Sequence, residues 1–386
     1  MGHKSARDLE KHHDAHSSRI SRGRSLARQT MANLLNEERV LEHLQHLSEG
    51  LFLVAKNLRI LKNSNSAHLI IATLDGIDLG QVHINGGHCD LCLERKVDDD
   101  IRYYHRAVVI SIMSKYGPLP IFLRMCHPKE NILNPHKVSE ERFKSDCELS
   151  CAKAMLVDIA GRFGGKLPFD ILASDALMAN APFMELTESL GSSGVFIFKQ
   201  ENRKLYREAV VDFTGNSLGF GVKSSKWDKD PASKGRVFDA KWNTYHDHNR
   251  KGDNKNVKIF EVTRTEINGE KIKSMAISSD DPRITPQLVE ELRYAKWSML
   301  ENGVFNGLTK TWGTLKHLFF HKKNAIESML YLQFMALIAY RFYCFGNLTR
   351  GGRRYNGTLK DFQRHMIITF FSCRRASLIE AFCNSP

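Results

Sequence analysis

The chain has 386 residues, 42% hydrophobic and 26% charged, proportions that exclude a disordered, collagen-like or membrane-embedded polypeptide and leave room for two domains or one enlarged domain. Its formal net charge is +13, from 56 Lys and Arg against 43 Asp and Glu, and that excess points to a polyanionic partner, nucleic acid or an anionic membrane surface. The charge is uneven: residues 302–386 carry 12 basic and 3 acidic side chains, while residues 67–198 carry 13 basic and 17 acidic ones. Carboxylates are thus concentrated in the middle, and the flanks are suited to holding an anion.

The N-terminal residues, including His3, Lys4, Arg7, Asp8 and Glu10, lack the apolar core of a signal peptide, so a cytoplasmic chain with its eight cysteines reduced is expected. Residues 1–30 read as a polar arm. Leu34, Leu35, Val40, Leu41, Leu44, Leu47, Leu51 and Leu58 then recur at helical spacing, which predicts one or two amphipathic helices over residues 31–62. The period changes at His68, where a short apolar run ends at Asp75-Gly76 and predicts a strand terminated by a carboxylate. Tyr104 to Met113 and Leu119 to Met125, separated by Gly117-Pro118, predict a hairpin. A helix is expected from Asp146 to Phe163 with Ser145 as its cap, stopped by Gly164-Gly165. Phe169 to Ala173 is a further strand ending in Ser174-Asp175, a second helix starts near Asn180, and Val195 to Phe198 is the next strand. Residues 200–285 read as a β-rich insertion with β-like runs at Ala209 to Phe213, Val257 to Arg264 and Lys273 to Ile277. Thr285-Pro286 opens a helix expected to reach Phe305, and Ser328 to Tyr340, too short for the about 20 residues of a bilayer span, belongs to a buried helix over 327–345.

The order β-β-β-α-β-α-β is the ribonuclease-H-like pattern of an α/β fold with a mixed sheet. In that fold the first and fourth strands are neighbours, so acids at their equivalent ends can share metal ions. Hydrolysis or transfer of a phosphodiester is helped by two divalent ions held on hard carboxylate oxygens, and Asp75, Asp175 and Glu301 are the candidates from distant parts of the chain.

The stretches LDGID around Asp75, HCDLCLE at 88–94, YYHRAVVISI at 103–112, SDCELSCAKAML at 145–156, SDALMANAPFME at 174–185 and WSMLENGVFNGLTK at 297–310 carry a resemblance. From about residue 68 to about 345 the sequence resembles bacterial insertion-sequence transposases of the DDE type. The resemblance implies a ribonuclease-H-like core with a β-rich insertion before the last acid. It also implies a catalytic and metal-binding triad of Asp75, Asp175 and Glu301, and Mg2+, or alternatively Mn2+, as cofactor. Its partners would be double-stranded DNA with terminal inverted repeats and target DNA, bound by a homodimer with no membrane involved, in a bacterial cytoplasm in association with the nucleoid. The ENxxFN pattern starting at Glu301 is its most specific element. Tyr294 precedes Glu301 as in that broad group, but Trp297 stands where an Arg is usual and Lys310 lies two residues beyond the expected Lys. Arg293, Tyr294, Lys310, Lys322 and Lys323 are the candidate DNA contacts. The implied organisation is a basic arm and helical DNA-binding region over 1–66, a catalytic domain over 67–345 with its insertion at about 200–285, and a basic tail over 346–386. A catalytically inactive DNA-binding derivative and a ribonuclease-H-like nuclease without strand transfer are the alternatives.

Other signals weigh less. Cys89 and Cys92 have the spacing of half a zinc site, and Cys147 and Cys151, spaced i, i+4 on a helix, could complete a four-ligand set, but buried reduced cysteines explain them as well, so zinc is disfavoured. Gly161 to Lys166 lacks the spacing of a phosphate-binding loop and reads as a helix stop. Arg341, Tyr343, Arg350, Arg353, Arg354 and Tyr355 suit a surface against a DNA backbone.

Overall fold

The computed structural model describes residues 28–61, 69–82, 92–97, 100–114, 117–127, 140–215, 221–226, 237–251, 255–265, 268–294, 304–305 and 323–342. The chain divides into two units, one of residues 1–61, 76–151 and 300–386 and the other of residues 62–75 and 152–299.

In the first unit, helices α1 (Arg28–Asn36) and α2 (Glu38–Asn57) follow the periodicity of the leucines. Strand β1 (Ile71–Val82) starts in the other unit and ends here, followed by β2 (Leu93–Val97), β3 (Asp100–Ile112) and β4 (Leu119–Met125). Asp75 therefore lies within a strand and not at its end. Ile77 and Leu79 are buried while Asp78 is exposed, so the alternation that favours an extended chain continues past Gly76. Strands β3 and β4 form the expected antiparallel hairpin, with Gly117 at φ 101° in its turn. Helix α3 (Glu140–Arg162) begins before Ser145, because Glu140, Glu141, Arg142 and Lys144 are themselves good helix formers. It stops where Gly164 and Gly165 take φ of 74° and 88° and Gly165 N donates back to Ala160 O.

Helix α7 (Lys323–Phe342) completes this unit. Ile326, Leu330, Phe334 and Leu337 pack with Leu44, Ala107, Val109, Leu123 and Met125 in one core, where Tyr331 Oη donates to Leu123 O at 3.1 Å. Ser328 Oγ donates to Leu35 O at 2.8 Å, and Ser48 Oγ to Ile121 O at 2.6 Å, so these two buried hydroxyls are paired. Arg341 continues the buried stripe of Leu330, Phe334 and Leu337 and is only 8% exposed. Burial lowers its pKa to about 10, and it is not part of a DNA-facing surface.

The second unit holds the start of β1, then β5 (Ile171–Ser174), α4 (Ala181–Ser189), β6 (Ser193–Ile197), α5 (Lys204–Thr214), β7 (Gly221–Lys226), β8 (Val237–His246), β9 (Asn256–Thr265), β10 (Lys271–Ser279) and α6 (Pro286–Tyr294). Asn180 caps α4, its side chain accepting from Phe183 N at 3.1 Å. Residues 209–213 are helical and not extended: Leu205, Ala209 and Phe213 are buried at i, i+4 and i+8, and the β-branched Val211, which suggested a strand, stands 67% exposed. Strands β1, β5 and β6 are parallel, and β10, β9, β8 and β7 follow as an antiparallel meander. With β3 on the other side of β1 and β4 paired to β3, the succession β4-β3-β1-β5-β6 is the ribonuclease-H-like sheet. Among the described residues no helix is long and apolar enough to cross a membrane.

Past the end of β10, Asp281 accepts from Ser193 Oγ at 2.7 Å and from Arg283 Nη2 at 2.8 Å. Burial alone would raise its pKa, but these hydrogen bonds outweigh it and hold the carboxyl at about 2. A folded value below the unfolded one, near 4, gives stability that is present above about pH 4 and is lost as the pH falls toward 2. Asp281→Asn is therefore expected to be less stable than wild type at neutral pH, and the gap should close between about pH 4 and 2 in urea unfolding followed by circular dichroism.

Candidate metal centre

The register between β1 and β5 pairs Ile71 with Ile171, Ala72 with Leu172 and Thr73 with Ala173. The same offset carried two residues further brings Asp75 level with Asp175. Ser174 Oγ donates to Leu74 O at 2.9 Å, so the residues just before the two acids are tied together. Asp175 leaves the strand at φ −79° and ψ −175° and caps a short 3-10 turn, Ala176–Met178, its Oδ1 accepting from Leu177 N at 3.0 Å. Both aspartates are half-buried.

Within the second unit one carboxylate oxygen of Asp75 lies within 4.8 Å of one of Asp175. At that distance two full negative charges repel by roughly 3 kcal/mol in an effective dielectric of about 20, so the cluster favours a cation. The donors are all carboxylate oxygens, the hard set that suits Mg2+ or Mn2+ and not the soft set that selects zinc. In the first unit Arg106 on β3 pairs with two acids: its Nη2 is 2.6 Å from Oε2 of the buried Glu148 on α3 and its Nη1 2.9 Å from Asp78 Oδ1. Burial would lower the Arg106 pKa, and the two carboxylates more than compensate, raising it above the ordinary arginine value.

Of the residues singled out from sequence, Asp75 and Asp175 are thus brought together. Glu301, Lys310, Lys322 and Cys89 lie outside the described residues, and Tyr294 and Lys323 are placed only as backbone, in α6 and α7. Arg293 donates from Nε and Nη2 to the two oxygens of Glu290 at 3.0 and 3.2 Å, so its charge is already engaged. Cys92 is buried with its Sγ 3.6 Å from His105 Nε2, and Cys151 lies against the carbonyls of Arg124 and Met125. Glu148 was not anticipated. Its signal is an acid on the buried stripe of a helix, in line with Ala152, Met155 and Ile159.

No protein-family model matches the chain, and no curated protein does. Among solved structures, the chain is similar to a piggyBac transposase synaptic complex with hairpin DNA determined by cryo-EM, at 12% identity and a TM-score of 0.38. The match covers 82% of this chain and 54% of that one, so the chain spans about half of that protein's length.

Proposed function

We propose that the chain is a DNA transposase of the DDE type, resembling those of bacterial insertion sequences, which cuts the ends of its element and joins them to target DNA. The observation that carries this reading is the parallel register of β1 with β5, beyond which Asp75 and Asp175 bring their carboxylates within 4.8 Å of each other. Asp75 and Asp175 would hold the divalent ions with Glu301, as the resemblance implies. The chemistry that Mg2+ or Mn2+ held there would supply is activation of the attacking water or 3′-hydroxyl and charge stabilisation of the departing oxygen.

The chain's own residues do the positioning. The Ser174 to Leu74 hydrogen bond and the Asp175 cap set the two aspartates before any ion arrives, so little ordering remains at the moment of binding. Tyr294, Lys310, Lys322, Lys323 and the basic residues after 345 are the proposed phosphate contacts, and Arg293 joins them only by leaving Glu290. A homodimer follows from the need to hold two DNA ends together.

The test uses linear DNA carrying the inverted repeats that flank the gene, incubated with protein and Mg2+ and resolved on gels. Wild type is expected to give cleaved and joined products, and Asp75→Ala neither. Cleavage without joined products would leave a nuclease. If wild type and Asp75→Ala bind equally and neither cuts, the catalytic reading fails and a DNA-binding derivative stands.

A further inference from the structure

Strand β2 begins at Leu93, which pairs with Tyr104 of β3, and the same antiparallel register set back by one residue makes Cys92 and His105 cross-strand neighbours. Both side chains are buried, and Cys92 Sγ stands 3.6 Å from His105 Nε2. The two residues belong to the first unit, so the contact is internal to it. A buried thiol beside a buried imidazole has two readings. One is a weak hydrogen bond in a core where the cysteine serves as a small apolar side chain. The other is two ligands of one metal ion. A tetrahedral zinc, with Zn–S of about 2.3 Å and Zn–N of about 2.0 to 2.1 Å, holds a sulfur and a nitrogen about 3.6 Å apart, so the observed spacing equals one edge of such a site.

That distance suits both readings, and the sequence favours the second. Cys89 precedes Cys92 with two residues between, the spacing by which a tight turn delivers two thiolates to one zinc, and His83, His88 and Asp90 stand in the same short stretch. A core hydrogen bond has no use for a second cysteine at that spacing. From the spacing and the contact together, we propose that the first unit carries a structural zinc site with Cys92 and His105 as two ligands and Cys89 as a third. Cys89 lies outside the described residues and enters by its spacing alone. Among the described residues no other His, Cys, Asp or Glu offers an atom within 4.8 Å of both Cys92 and His105, which leaves His83, His88 and Asp90 as the candidates for the fourth ligand.

The donors decide which ion this is. Thiolate and imidazole suit zinc, whereas Mg2+ and Mn2+ prefer carboxylate oxygens, so the ion is of a different class from those proposed at Asp75 and Asp175. Closed by four protein ligands, it would tie the start of β2 to β3 and contribute folding energy, with no part in the chemistry on DNA.

The experiment uses the full chain, purified under reducing conditions and dialysed against excess Mg2+ so that hard carboxylate sites are filled with that ion. Zinc measured by mass spectrometry is expected at about one ion per chain. Exchange for Co2+ should give the visible bands of a tetrahedral ion and a near-ultraviolet thiolate-to-Co2+ charge-transfer band, which carboxylates do not produce. Cys92→Ser and His105→Gln are each expected to weaken Zn2+ binding by more than about 100-fold in competition with a chromophoric chelator, beyond the effect of losing a residue that only supports a ligand. Cys151→Ala removes a buried thiol that lies against the carbonyls of Arg124 and Met125, and should keep its zinc. A wild-type chain with no zinc and no charge-transfer band overturns the proposal and leaves the contact a hydrogen bond. Affinity within about tenfold of wild type in His105→Gln, or zinc lost equally from Cys151→Ala, overturns it as well, because the ion then sits elsewhere. Should the ligand variants fail to unfold cooperatively, the wild-type Co2+ spectrum decides: tetrahedral bands with charge transfer support the site, and an octahedral spectrum without charge transfer overturns it.

Discussion

Replacing Asp175 by Asn is expected to lower Mg2+-dependent DNA cleavage on the order of 1000-fold, about 4 kcal/mol of transition-state stabilisation, with stability changed by less than about 0.5 kcal/mol. The two effects separate because the side chain has two tasks. As a cap, Asp175 accepts from Leu177 N through Oδ1, and an Asn amide oxygen accepts equally well at such a position. Beside Asp75 it contributes a negative charge within 4.8 Å of that carboxylate, and a neutral amide contributes none. Loss of cleavage with an unchanged melting curve assigns the residue to the ion and not to the fold. A variant that cleaves within about tenfold of wild type would remove Asp175 from the proposed chemistry. Ser174→Ala is a useful contrast: it deletes the hydrogen bond to Leu74 O, should cost about 1 kcal/mol of stability, and leaves every carboxylate in place.

How far the site could be read from sequence depends on which physical constraint each residue answers to. Asp75 and Asp175 were legible because each follows a short apolar run, and strands of that kind announce themselves by composition. That the two strands lie side by side is a long-range fact. It came from the fold the element order suggested, and the register from Ile71 with Ile171 to Thr73 with Ala173 now supplies it directly. Asp75-Gly76 was read as a turn because Gly commonly breaks a strand, yet its role is to clear space for Arg106 and Glu148, groups from β3 and α3 that no local window contains. Glu148 escaped notice for the same reason: one acid in a helix is ordinary until its burial is known. Val210-Val211 suggested extended chain by β-branching, whereas burial of Leu205, Ala209 and Phe213 along one helical face decided otherwise. Arg341 was grouped with a basic tail by its charge, although its spacing from Leu337 and Phe334 put it on the buried stripe of α7. Local chemistry was read well where it followed backbone preference and poorly where a neighbour from elsewhere in the chain set the terms.

The same dependence on distant partners gives the largest expected change in stability. Arg250 follows β8, its side chain is 2% exposed, and its Nη2 is paired with Glu188 at the end of α4. Nη1 donates to Asn256 O at 3.1 Å, and among the described residues Nε is buried without a partner. Glu188→Gln removes the carboxylate that, among the described residues, pairs with this guanidinium and leaves a buried charge that must be neutralised or hydrated. A loss of about 3 kcal/mol or more in urea unfolding is therefore expected. Removing both partners is a different experiment. In Arg250→Met combined with Glu188→Gln no charge is stranded, and an unbranched apolar side chain fills much of the space the arginine stem occupied, so the double variant should be more stable than Glu188→Gln alone by about 1 to 3 kcal/mol. If the double variant is instead less stable than the single one, Arg250 stabilises this part of the fold mainly through its packing and its bond to Asn256 O, and not through its charge pair with Glu188.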